Sequence, residues 1–137
     1  MKTQDVMTFP VETISPKESI KDAAVKMRNR HVGTLLVVDA GKLVGMITDR
    51  DICCNVIAAN RDAVMTEVKE IMVKGISTCF DDQEISDAAS IMANHHVRRL
   101  PVVHHDMSLA GILSIDDIAR TSHELAGTVL ESARPVH

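Results

Sequence analysis

The chain has 137 residues, 45% of them hydrophobic and 25% charged, with a formal net charge of −4 at pH 7, a size that suits one compact domain or two half-size units sharing a core. The acidic balance, without a Lys/Arg-rich tail, leaves no electrostatic footprint for nucleic acid. No apolar run approaches the roughly 18 to 20 residues of a membrane span and Met1–Asp5 lacks a signal-peptide apolar stretch, so a soluble, cytoplasmic protein with no nucleic-acid or membrane partner is expected.

In chain order, a short strand is predicted around Val11–Ile14. Ser19 then stands as an N-cap before a helix over Ile20–Arg30, where Ile20, Ala23, Ala24 and Met27 fall at i, i+3, i+4 and i+7 and make a narrow, small-residue face. Two β-branched runs follow, Thr34–Asp39 and Leu43–Thr48, separated by Ala40-Gly41 and read as strands joined by a turn. A further helix starts at Thr48. The linker Cys53–Lys69 carries Val56, Ile57, Val64 and Val68 with few breakers and is expected to stay largely helical. The pattern then begins again. A strand around Ile76–Phe80 leads to a helix over Glu84–His95, with Asp81 or Asp82 as N-cap and Ile85, Ala88, Ala89 and Met92 on its face. The runs Leu100–His104 and Leu109–Ser114 follow, around a looser His105-Asp106-Met107, and a helix starts at Ser114.

Residues 5–52 therefore overlay residues 70–118 with one residue inserted near Met107. Identities such as Met7/Met72, Ile20/Ile85, Asp22/Asp87, Met27/Met92, Val37/Val102, Gly45/Gly111 and Asp51/Asp117 are too dense for coincidence. The fold class is α/β, with two β-α-β-β-α repeats. Residues 1–60 form the first motif, 61–69 a linker and 70–137 the second motif with a C-terminal helix. One such unit buries little surface alone, so the two are expected to stack through their sheets. Gly45 and Gly111 mark places inside a strand where another backbone comes close.

Three cysteines, Cys53, Cys54 and Cys79, are odd in number and two are adjacent, which fits reduced, partly buried thiols better than a disulfide framework or a CxxC site. With no Trp or Tyr and only Phe9 and Phe80 as aromatics, a ligand pocket must be walled by aliphatic side chains and Met. His95-His96 and His104-His105 lack metal-ligand spacing, so no metal is expected. No P-loop, nucleophile elbow or paired-carboxylate arrangement is present, and the chain is not read as an enzyme. Thr48-x-x-Asp51 and Ser114-x-x-Asp117 read first as helix capping boxes, in which the hydroxyl and the carboxylate satisfy backbone N–H groups without any ligand.

The ordered pieces Val6-Met7-Thr8, Ser19-Ile20-Lys21-Asp22-Ala23-Ala24, Leu36-Val37-Val38-Asp39 and Leu43-Val44-Gly45-Met46-Ile47-Thr48-Asp49-Arg50-Asp51-Ile52 resemble the cystathionine-β-synthase-type (CBS) domain. The second copy carries the same resemblance in Ile71-Met72, Val97-Arg98-Arg99-Leu100-Pro101-Val102-Val103 and Ala110-Gly111-Ile112-Leu113-Ser114-Ile115-Asp116-Asp117-Ile118. No single piece is specific; their order, spacing and duplication are. The resemblance implies a stand-alone tandem CBS pair with pseudo-twofold symmetry. It further implies a regulatory module that binds AMP, ADP, ATP or S-adenosylmethionine between the motifs, forms a homodimer and acts on an effector protein in trans. The competing reading is a ligand-free dimerisation or interaction scaffold that presents the helical surface Glu124–Ala133.

In the family the Asp of the second box accepts hydrogen bonds from both ribose hydroxyls, which implies that role for Asp117 beside Ser114. By the same resemblance Thr8, Val11, Thr13 and Ile14 line the main cleft, Val97 and Ile112 face the adenine, and Arg98 and Arg99 meet phosphate. Adjacent residues on a strand end point to opposite faces, so one of the two arginines is expected to reach it. A weaker cleft retains Thr48, Arg50, Asp51 and Thr78, but Val73 replaces the residue matching Thr8 and Gly33-Thr34 replaces the arginines. No cofactor is required beyond the nucleotide ligand. Dimerisation is expected through Ile118, Leu125, Val129 and Leu130.

Overall fold

A computed structural model describes residues 1–132; each copy of the repeated pattern forms its own three-stranded sheet, and the chain divides into two compact units. The first comprises Glu12–Ile76, and the second joins Met1–Val11 to the chain from Ser77 onward. The α/β repeat read from the sequence is the observed fold.

In the first unit, β1 (Thr13–Ile14) runs parallel to β2 (Thr34–Asp39), which pairs antiparallel with β3 (Lys42–Thr48). Ala40 and Gly41 turn the hairpin with φ of 50° and 79°, the left-handed pair that matches the twist of two-residue β-turns. Helix α1 (Ile20–Arg30) lies between β1 and β2 in the chain. The Ser19 hydroxyl accepts the Asp22 N–H at its start, and its last turn ends at His31 in the left-handed region. Ile20, Ala23 and Met27 bury their side chains with Leu35, Val37 and Ile47, each large apolar side chain contributing about 1.5–3 kcal/mol. Ala24, placed on the same face by its spacing, is exposed.

After α2 (Asp49–Ile52) the chain makes a π-helical turn over Cys53–Ile57, and the helical expectation for Cys53–Lys69 fails beyond it until α3 (Val68–Ile71). The reason lies at the start of α1. Its Ile20 and Lys21 N–H groups donate to the Thr66 and Ala63 carbonyls at 2.9 and 3.0 Å, so this stretch supplies acceptors to a neighbouring helix end instead of to its own helix.

In the second unit, β4 (Cys79–Phe80) is parallel to β5 (Arg99–Val103) and β5 antiparallel to β6 (Leu109–Ser114). Helix α4 (Ile85–His95) has Glu84 at its N-cap position, with no side-chain cap hydrogen bond. Asp81 and Asp82 are therefore not its caps. Their carboxylates pair with His104 at 2.9 Å and His105 at 2.7 Å, while Met1 supplies the carbonyl that receives the Ile85 N–H at 3.0 Å. Helices α5 (Ile115–Ala119) and α6 (His123–Ser132) complete the unit. Because α6 packs on α4, Ala89 is buried where its repeat partner Ala24 is not. Ile118 and Val129 lie fully inside this core with Met92, Leu100 and Leu113, so they are spent within the chain and offer no dimer surface; Leu125 packs against the same core and Leu130 remains exposed. Ala133 lies outside the described residues. The three cysteines are free; Cys53 and Cys54 are exposed and Cys79 is buried, where partly buried thiols were expected.

Both glycines at the repeated strand position admit a backbone. A Cβ on Gly45 would lie 2.8 Å from the Val73 carbonyl oxygen, and one on Gly111 2.7 Å from that of Thr8. Thr8 and Ile112 exchange backbone hydrogen bonds of 2.8 and 3.0 Å, as Val73 and Met46 do at 2.8 and 3.0 Å.

Candidate ligand-binding site

The approach at Gly111 carries Thr8 to the end of β6, where α5 begins. Ser114 caps α5 by accepting the Asp117 N–H at 3.1 Å, and Asp117 Oδ2 accepts the Ser114 N–H at 2.9 Å, the reciprocal box its spacing implies. Thr8 Oγ1 then donates to the same carboxylate, 3.1 Å from Oδ1 and 3.2 Å from Oδ2. The Arg120 guanidinium donates to Oδ1 at 2.6 Å. Asp117 is 4% exposed, and a buried carboxylate is tolerated when charge and donors meet it in this way. Arg120 is a residue the sequence reading missed. Its signal was the i, i+3 spacing from Asp117 on one helix face.

Arg98 and Arg99 lie beside this cluster. Arg98 immediately precedes β5, and its carbonyl receives the Ile115 N–H at 2.9 Å; Arg99 opens the strand opposite Ser114. With Ser114, Asp116 and Leu130 both arginines line one cavity of about 260 Å³. Arg98 stands outside β5, where the alternation of side chains along a strand no longer applies. Ile112 is half-buried and bridges to Thr8, and Val97 packs against the core. Val11 is half-buried in the same unit. Thr13 and Ile14 form β1 of the first unit, Ile14 being 3% exposed within that unit's core.

The corresponding place in the first unit is chemically different. Thr48 and Asp51 make the same reciprocal box at 2.9 and 3.1 Å. Val73, in the position of Thr8, brings no hydroxyl, and Cys54 stands where the second unit has Arg120. Gly33 replaces Arg98, and a Cβ there would lie 2.9 Å from Asp49 Oδ2, so an acid lies against the backbone at that point. Arg50 lines a surface depression with Asp49, Cys53 and Cys54. Thr78 is half-buried in the second unit, next to β4.

Three of the four paired histidines are seen engaged locally. His104 and His105 bind Asp81 and Asp82, His105 stacks on Phe80 with ring centroids 4.2 Å apart, and His96 Nδ1 lies 2.7 Å from the Ser132 carbonyl oxygen. The bond to His105 holds the Asp82 carboxyl below its ordinary range. Among the described residues no group of three or more His, Cys, Asp or Glu gathers in a way that could hold a metal ion. No helix among them is long and apolar enough to cross a membrane.

Comparison with known proteins agrees with this architecture. The CBS domain profile matches residues 4–57 and 68–124. The CBS domain-containing protein YhcV of Bacillus subtilis (strain 168) is 40% identical over 129 residues, 93% of this chain and 91% of that protein. Hypoxic Response Protein I, crystallised with two coordinated zinc ions, superposes with a TM-score of 0.79 at 32% identity, over 89% of this chain and 99% of that one. The CBS domain pair of protein MJ0100, solved in complex with 5-methylthioadenosine and S-adenosyl-L-methionine, gives a TM-score of 0.72 at 30% identity, over 88% and 94% of the two chains. A profile match to both repeats, each with its own sheet and its own reciprocal capping box, places the chain in the CBS domain family as a tandem pair.

Proposed function

We propose that this CBS pair is a regulatory module, not an enzyme, that binds an adenosine-containing small molecule: AMP, ADP, ATP or S-adenosylmethionine. Binding is centred on Thr8, Ser114 and Asp117, with Arg98 and Arg99 meeting the 5′ substituent. The observation that carries this reading is the Asp117 carboxylate, held by the Thr8 hydroxyl and the Ser114 N–H beside two arginines that share one cavity. Once the exposed Arg120 side chain swings aside, the carboxylate accepts the paired hydroxyls of a ribose, and guanidinium groups bind phosphate or carboxylate by charge-assisted hydrogen bonds. The bound adenosine compounds of the MJ0100 pair, at 30% identity, support the ligand class. The set at Thr48, Arg50 and Asp51 binds more weakly or not at all, since it lacks the hydroxyl of Thr8 and has Asp49 at the place of the basic pair.

The module acts as a homodimer on an effector protein supplied in trans. A melting-temperature screen against AMP, ADP, ATP, S-adenosylmethionine and NAD tests the binding reading. A ligand at about 100 times its dissociation constant stabilises the native state by about 2.7 kcal/mol, which appears as a rise of several degrees. If no adenosine compound raises the transition, the binding reading fails and the interaction scaffold takes its place.

A further inference from the structure

The cavity that holds Arg98 and Arg99 has a wall with no counterpart in the first repeat. Ala126 and Leu130 of α6 line it opposite Ser114 and Asp116. They sit at i and i+4 on one helix face, and the same helix places Val129 in the core with no exposure. Leu130 is 45% exposed, an apolar side chain at the edge of a polar cavity whose remaining surface a bound molecule would cover. The helix is held by the buried pair Ala126 and Val129, by Leu125 against the same core, and by the His96 ring against the last-turn carbonyl of Ser132 at 2.7 Å. In the first unit the chain leaves its π-helical turn at Ile57, and among the described residues no later helix lines the equivalent depression, which is bounded by Asp49, Arg50, Cys53 and Cys54.

We infer that α6 is the element that reads occupancy of this site: Leu130 and Ala126 pack against the bound adenosine compound, so that binding and docking of α6 reinforce each other. The inference rests on the binding reading above. Its physical basis is reciprocity. If a docked α6 strengthens ligand binding by some factor, the ligand strengthens docking of α6 by the same factor. The helix is suited to this because part of its apolar surface is left uncovered at the cavity edge, and burying that surface favours the bound state in proportion to the area covered. An effector that recognises α6 would then sense the ligand.

The test is hydrogen exchange followed by mass spectrometry on the full chain, with AMP, ATP and S-adenosylmethionine each in turn, together with titration calorimetry on Leu130→Ala. A partly exposed leucine leaves folding intact, and Leu130→Met, which keeps the apolar contact, serves as the conservative control. With a ligand that binds, exchange is expected to slow both over 97–117 and over the α6 segment. Leu130→Ala should weaken affinity about fivefold and reduce protection of α6, and Leu130→Met should restore both. Protection over 97–117 without any over α6, or unchanged affinity in Leu130→Ala, overturns this inference and leaves the binding reading standing. No protection anywhere in the second unit overturns the binding reading and this inference with it.

Discussion

Substituting alanine at Gly111 should disturb the candidate site without touching any of its polar groups. The new Cβ would lie 2.7 Å from the Thr8 carbonyl oxygen and 2.9 Å from Met7 Sδ. The thioether can rotate away; the carbonyl cannot, because it accepts the Ile112 N–H at 3.0 Å while Thr8 N–H donates back at 2.8 Å. Ordinary carbon–oxygen contact requires the Thr8 strand to retreat by roughly 0.5 to 0.7 Å. Overpacking of this kind costs about 1–3 kcal/mol. Weakening the two bridging hydrogen bonds adds up to about 1 kcal/mol each, and the stiffer unfolded chain offsets about 0.4–1 kcal/mol. A net loss near the middle of these terms, about 2 kcal/mol, should lower the melting temperature by roughly 8 °C for a chain of this length. Gly45→Ala meets nearly the same geometry, 2.8 Å from the Val73 carbonyl oxygen, and should melt in the same range. The two variants should differ in binding. Gly111→Ala moves the hydroxyl that donates to Asp117, whereas Gly45→Ala moves a valine whose side chain donates nothing. Circular-dichroism melts and calorimetry on both variants decide it. A Gly111→Ala melt within about 1 °C of the parent would refute the packing argument, and equal loss of adenosine-ligand affinity in both variants would refute the asymmetry.

Asp117→Ala should weaken ligand binding by about 1.5–3 kcal/mol, the scale of hydrogen bonds to a charged group. Asp51→Ala should do far less, and calorimetry that reverses this order sinks the assignment. Replacing Arg98 and Arg99 together by Ala should reduce affinity for ATP more than for adenosine, by an amount that shrinks as salt is added because both side chains are exposed; a salt-independent or equal loss contradicts phosphate contact. Burial pushes the Cys79 thiol up to about 11 from an ordinary 9.0, so its neutral form favours the folded state. That stabilisation is complete below pH 9.0 and is lost as pH rises through about 11. The urea midpoint should therefore fall over this window, less steeply in Cys79→Val, and a thiol reagent at pH 8 should label Cys53 and Cys54 but not Cys79 in the native protein.

The local elements of this protein are written in short-range pattern. The i, i+3, i+4, i+7 spacing of Ile20–Met27 and Ile85–Met92, the Ser19 cap, and the two Ser/Thr-x-x-Asp boxes depend only on residues within a turn or two. Hydrogen bonding and apolar periodicity make such features visible in one dimension, and duplication of the pattern exposed the repeat. What required the tertiary structure is long-range. That Met1–Val11 belongs with the chain beyond Ser77, that Thr8 donates to a carboxylate 109 residues away, and that Arg98 and Arg99 share one cavity all depend on which strand pairs with which segment. Ala24 and Ala89 occupy the same position in their repeats, yet only Ala89 is buried, because α6 packs on α4. Likewise the apolar stretch after Cys53 is not helical through to Lys69, because Ala63 and Thr66 give their carbonyls to the free N–H groups at the start of α1. Periodicity records which side of an element is apolar; the partner that covers it, and the backbone groups that partner must satisfy, are settled only when distant segments meet.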